Sequence, residues 1–123
     1  MWLMTDIGFF SIVEKPADKG SGLLTIRSRM RSDLEAFGQR CRFSGGITAE
    51  AGTDYPYRAA ARKADVAAAL AQLAADIDYP NFKDRVKTVQ GSARAAAYGD
   101  VWSVLYDLEK NEQKARKKAA PKA

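Results

Sequence analysis

The stretch Tyr55–Pro80, YPYRAAARKADVAAALAQLAADIDYP, changes its period in the middle, and that change decides the fold. Its first part, Tyr55–Arg62, reads as a strand that Pro56 forces to begin at an edge or after a bulge. From Lys63 onward, Val66, Leu70, Leu73 and Ile77 recur at steps of four, three and four, which is the signature of an amphipathic helix. Alanines strengthen that helix, and Pro80 requires it to end near Asp78. A strand running straight into a helix therefore sits at the centre of the chain.

Upstream of this point the period is mostly two. Residues 2–15 are rich in aromatic and β-branched side chains and read as extended, with a bend or bulge at Gly8, either as one bent strand or as a short strand followed by a longer one. The segment KPADKGSG (15–22) is a turn, and LLTIRSRM (23–30) follows as a second strand, pairing with the first as a hairpin. In that strand Leu24, Ile26, Ser28 and Met30 share one face, and Thr25, Arg27 and Arg29 share the other, with Arg31 following. RSDLEAFGQRC (31–41) reads as a short helix anchored by Leu34 and Phe37, and a brief strand is expected around residues 47–50.

Downstream the period is 3.6. Phe82, Val86 and Val89 mark a helix that Gly91 stops. The last helix carries Ala97, Val101, Leu105 and Leu108 as an inner stripe expected to pack on the sheet. The predicted fold is α+β: an antiparallel sheet of about four strands with helices packed on one face, in the order ββαββααα. Residues 1–109 form the expected domain, and 110–123 a basic, disordered tail.

Composition limits the chemistry. The chain of 123 residues has no histidine and one cysteine, Cys41. Zinc sites built on nitrogen and sulfur, and nucleophile systems that use histidine, cannot be assembled within one such chain. The reading is therefore of a non-enzymatic protein with no cofactor, no metal and no catalytic residue. No apolar run approaches the ~20 residues of a membrane span. With no secretion signal in the sequence, a cytoplasmic location is expected.

The net charge of +5 is localised. Residues 110–123 hold six basic groups and one acid, whereas residues 1–109 hold fourteen of each sign. The tail, with Lys114, Arg116, Lys117 and Lys118, is a candidate for contact with nucleic acid. A second candidate is an arginine-bearing sheet face: Arg27, Arg29 and Arg31 from one strand, Arg58 and Arg62 from another, with Tyr55 and Tyr57 at its edge. Guanidinium groups suit phosphate and carboxylate recognition. Solvated arginines with nearby acidic partners are the plain alternative. Two rivals stand beside this binding reading. One is a small enzyme gathering Asp54, Tyr57 and Arg58 in a cleft; the other is a homodimer formed through the edge at Pro56 or the last helix.

Four stretches in order, MWLMTDIGFFSIVEK (1–15), GTDYPYR (52–58), DIDYPNFK (76–83) and VWSVLYDLEK (101–110), are similar to those of a family of small bacterial proteins without an assigned activity. Its members occur in chromosomes and in phage or plasmid gene sets. The resemblance covers residues 1 to about 110 and carries over no catalytic residue. It implies an alternative role as a mobile-element-encoded modulator of a host complex, such as a defence system, acting through occlusion of a protein surface.

Overall fold

The computed structural model describes residues 1–121; Lys122 and Ala123, the end of the expected tail, lie outside the described residues. It divides into two compact units, residues 1–80 and 81–123.

The first unit holds the whole sheet. Five antiparallel strands, β1 (Trp2–Thr5), β2 (Gly8–Val13), β3 (Leu23–Ser28), β4 (Thr48–Ala49) and β5 (Tyr57–Arg62), lie in the spatial order β1-β2-β3-β5-β4. The fold is α+β, as the change of period requires, but with five strands rather than four. The extra strand arises because residues 2–15 fold back on themselves at Asp6–Ile7. There Thr5 Oγ1 donates to the Gly8 carbonyl (2.9 Å) and accepts from Ile7 N (3.2 Å). Gly8 is required at this point. Its φ is +154°, and a Cβ there would stand 2.6 Å from both Cβ and Cγ of Asp33.

Two helices of this unit, α1 (Arg31–Gly38) and α2 (Lys63–Ala75), pack on one face of the sheet. Phe10, Ile12, Ile26, Ala59 and Ala61 from the strands meet Leu34 and Phe37 of α1 and Val66 and Ala69 of α2. Cys41 completes this core. The rings of Phe10 and Phe37 approach to 4.9 Å. Asp33 sits buried at the edge and accepts a hydrogen bond from Phe9 N (3.1 Å), which locks α1 to the start of β2. Between β2 and β3 the Asp18 carboxylate accepts from Lys15 N (2.9 Å) and Thr25 Oγ1 (2.7 Å), fastening the loop.

α2 begins where β5 ends and stops at Ala75, earlier than Pro80 requires. Asp76 closes it by donating its backbone N–H to the Gln72 carbonyl and accepting from Gln72 Nε2 (2.7 Å). Ile77, expected on the inner stripe, lies past the helix and is exposed.

The second unit is a pair of helices, α3 (Phe82–Gln90) and α4 (Ser92–Ala119), joined by Gly91 alone. Asn81 caps α3 by accepting from Asp84 N (2.9 Å). Phe82 stacks on Tyr98 at 6.0 Å. Gly91 has φ +93°, the left-handed backbone that lets one residue end one helix and start the next. α4 is 28 residues long and continues through Ala119, so Lys114, Arg116, Lys117 and Lys118 stand on its last turns and not on an irregular tail. Those cations lie at the negative end of the helix dipole, and Arg116 also bridges to Glu112 (2.6 Å). Among the described residues no helix is long and apolar enough to cross a membrane.

Candidate functional site: the arginine face of the sheet

The pairing register builds the site. Residues directly opposite each other in antiparallel strands share a face. Trp2 opposes Ser11, Ser11 opposes Arg27, Arg27 opposes Arg58, and Arg58 opposes Thr48. One transverse row therefore crosses all five strands on the side away from α1 and α2. With about 4.8 Å between strands, the row is about 19 Å long.

Tyr55 organises the middle of the row. It precedes β5, and Pro56 removes it from the strand's alternation, so its ring turns to the arginine side and is only 3% exposed. The guanidinium carbon of Arg27 stands 4.7 Å from the ring centroid and that of Arg29 5.1 Å. Arg58 Nε donates to the Tyr55 carbonyl (3.2 Å). Arg27 Nη2 also donates to the buried Ser11 hydroxyl (2.7 Å), while its Nε is buried without a hydrogen-bond partner. Three guanidinium groups thus converge on one tyrosine. Among the described residues the one carboxylate that pairs with them is Glu50, 3.7 Å from Arg58 Nε. Among the described residues no acid pairs with Arg27 or Arg29. Stacking of this kind contributes about 0.5–2 kcal/mol per cation, rising with desolvation, and holds the charges together against their repulsion.

The remaining expected residues go elsewhere. β3 ends at Ser28, so Arg29 reaches the site from beyond the strand and Arg31 belongs to α1, where it bridges to Glu35 (3.0 Å). Arg62, at the far end of β5, is held by Asp65 (3.0 Å); this hydrogen bond and the same charge push its pKa up. Tyr57 alternates to the opposite face and packs against the core. Tyr57 and Arg58 therefore point to opposite sides of the sheet, and Asp54 is engaged by the neighbouring Tyr55 N (3.1 Å). The trio Asp54, Tyr57 and Arg58 does not converge.

Trp2 is the residue the sequence reading missed. It is 74% exposed at the end of the arginine row and meets Phe9 edge-on at 5.9 Å. Its place follows only from the β1–β2 register. The one available signal was a tryptophan in an edge strand, where burial does not explain it.

On the second unit, Lys114, Lys117 and Lys118 carry no carboxylate partner among the described residues. Spaced i, i+3 and i+4, they fall within about 100° of one another and share one face of α4, while Arg116 turns away to Glu112.

Compared with known proteins, the chain matches no family model, no curated protein and no solved structure.

Proposed function

We propose that this chain is a non-enzymatic binding module whose arginine-bearing sheet face takes an anionic partner, a nucleic acid strand or an acidic protein surface. The observation that carries this reading is the convergence of Arg27, Arg29 and Arg58 on Tyr55 with Glu50 as the one carboxylate paired to them among the described residues. Arginines serving only as a solvated face pair with acids, as Arg31 does with Glu35 and Arg62 with Asp65. Arg27 and Arg29 instead stack on a ring fixed by burial. That arrangement keeps guanidinium donors oriented for phosphate or carboxylate oxygens. The exposed Trp2 on the same face suits a partner with stackable bases. The basic end of α4 adds sequence-independent attraction.

The test is binding of the full chain to a single-stranded oligonucleotide and to polyglutamate across a salt series. Arg29→Ala, at an exposed position, should weaken binding. With the oligonucleotide it should lower the slope of log affinity against log salt by about 0.7. Replacing Lys114, Arg116, Lys117 and Lys118 by glutamine measures the helix end separately. The reading fails if neither probe binds in a salt-dependent way, or if Arg29→Ala binds both probes as the wild type does.

A further inference from the structure

Val101, Leu105 and Leu108 of the inner stripe were expected to be buried, yet these three, like Val104 beside them and Trp102 and Tyr106, are 41–67% exposed. Residues 101–118 of α4 are exposed throughout. α3 does not cover the stripe. It has nine residues against the 28 of α4 and lies on the side of Tyr98, Gly99 and Trp102, where Phe82 stacks on Tyr98 and Lys83 Nζ stands 5.9 Å from the Trp102 ring. On a helical projection that side is rotated well away from Val101, Val104 and Leu108. Trp102 and Tyr106, stacked at 5.2 Å, form a rigid ridge next to the stripe.

We propose that α4 pairs antiparallel with α4 of a second copy of this chain, about a two-fold axis level with Ser103. Val101 then meets Leu105 of the second copy, and Leu105 meets its Val101. This inference is independent of the anion-binding reading and uses different residues. Three observations select the occupant and its direction.

The first is area. The four stripe residues Val101, Val104, Leu105 and Leu108 expose roughly 400 Å² on one face, a contiguous apolar patch of the size a monomer leaves at a functional surface. Two copies would cover roughly 800 Å², the small area of a weak, concentration-dependent pair. The second is self-complementarity: a two-fold contact needs the same patch on both sides, and about an axis at Ser103 the Val101 and Leu105 layers exchange with each other, while Leu108 falls level with Tyr98 of the second copy, one residue from Ala97 on the stripe. The third is charge. Residues 110–119 carry five cations and one acid, whereas 92–109 carry one cation and three acids. A parallel pair would lay the two cationic ends side by side and set Glu112 against Glu112. The antiparallel pair separates those ends and brings Glu112 level with Arg94 of the second copy.

The experiment uses the full chain in sedimentation equilibrium across about a hundredfold range of concentration, which spans the transition of a weak dimer. A spin label on Ala115→Cys then reads direction; Cys41 is buried and does not compete. The expected result is a monomer–dimer equilibrium with labels about 36 Å apart, from 24 residues of rise between the two positions. A parallel pair would place them about one interhelix distance, roughly 10 Å, apart and would overturn the proposal. Leu105→Asp and Val104→Lys, both at exposed positions, should raise the dissociation constant at least about tenfold with unchanged helix content. A monomer at every concentration, or a dimer indifferent to both substitutions, also overturns it.

Discussion

Gly8→Ala examines how the sheet and α1 are locked together, and its cost can be worked out from three contacts. The added Cβ would lie 2.6 Å from Asp33 Cβ and Cγ and 2.8 Å from Oδ2, so the Asp33 side chain must move. Asp33 is 5% exposed and backed by the helix it belongs to, which leaves it little room. Moving it breaks the hydrogen bond from Phe9 N, worth about 1.5–3 kcal/mol for an ionised acceptor. A φ of +154° imposes about 1–3 kcal/mol more on alanine. The expected loss is about 3–5 kcal/mol, which for a chain of this size lowers Tm by roughly 10–20 °C. Urea unfolding monitored by tryptophan fluorescence and circular dichroism measures it. The decisive comparison is the same substitution in an Asp33→Gly background, where the collision is absent. There Gly8→Ala should cost at least about 1.5 kcal/mol less. A loss under about 1 kcal/mol, or the same loss in both backgrounds, refutes the collision as the cause. The effect reaches the candidate site, because this turn sets the β1–β2 register that places Trp2 in the arginine row.

Two further outcomes follow from other parts of the molecule. Burial, and then the negative charge of Asp65, push the Cys41 thiol above its ordinary 9.0. Its contribution to stability is therefore complete below pH 9 and lost as pH rises through the folded value, so unfolding free energies of wild type and Cys41→Ala should converge or cross only in that alkaline range; parallel profiles would contradict this. Asn81→Ala removes the cap that receives Asp84 N and should cost α3 about 1 kcal/mol, seen as faster hydrogen exchange at Asp84 while core amides of β3 stay unchanged.

Much of the first unit was legible because its sheet has one buried face. A period of two is then enforced, and the alternation of Ile26 and Ser28 with Thr25 and Arg27 could be read directly. Gly8 marked the break between β1 and β2 and left open a short strand followed by a longer one; that the chain reverses fully at Asp6–Ile7 was not legible, because no Pro or Asn-Gly pair marks a reversal there. Tyr55 and Tyr57 were grouped at one edge, whereas Pro56 sets Tyr55 outside β5 and sends the two rings to opposite faces. Periodicity gave the residues of the α4 stripe correctly but not their burial. A repeat of 3.6 says which side chains share a face and is silent on what covers it. The convergence of Arg29 with Arg27 on one ring depended on the backbone bending after Ser28, which no pattern in LLTIRSRM announces.

Sheet twist turns the direction in which the row from Trp2 to Thr48 faces. Each strand in a twisted sheet is rotated by about 20–25° from its neighbour, so four steps turn the row through roughly 80–100°. Trp2 and Thr48 thus look out nearly at right angles, with Arg27 and Arg58 between them. A flat, rigid surface can touch the two arginines but not both ends. A flexible chain that bends as it crosses the strands can follow the whole row. On the proposed binding reading, the twist of the sheet would itself filter partners by shape, favouring a pliable ligand over a rigid one.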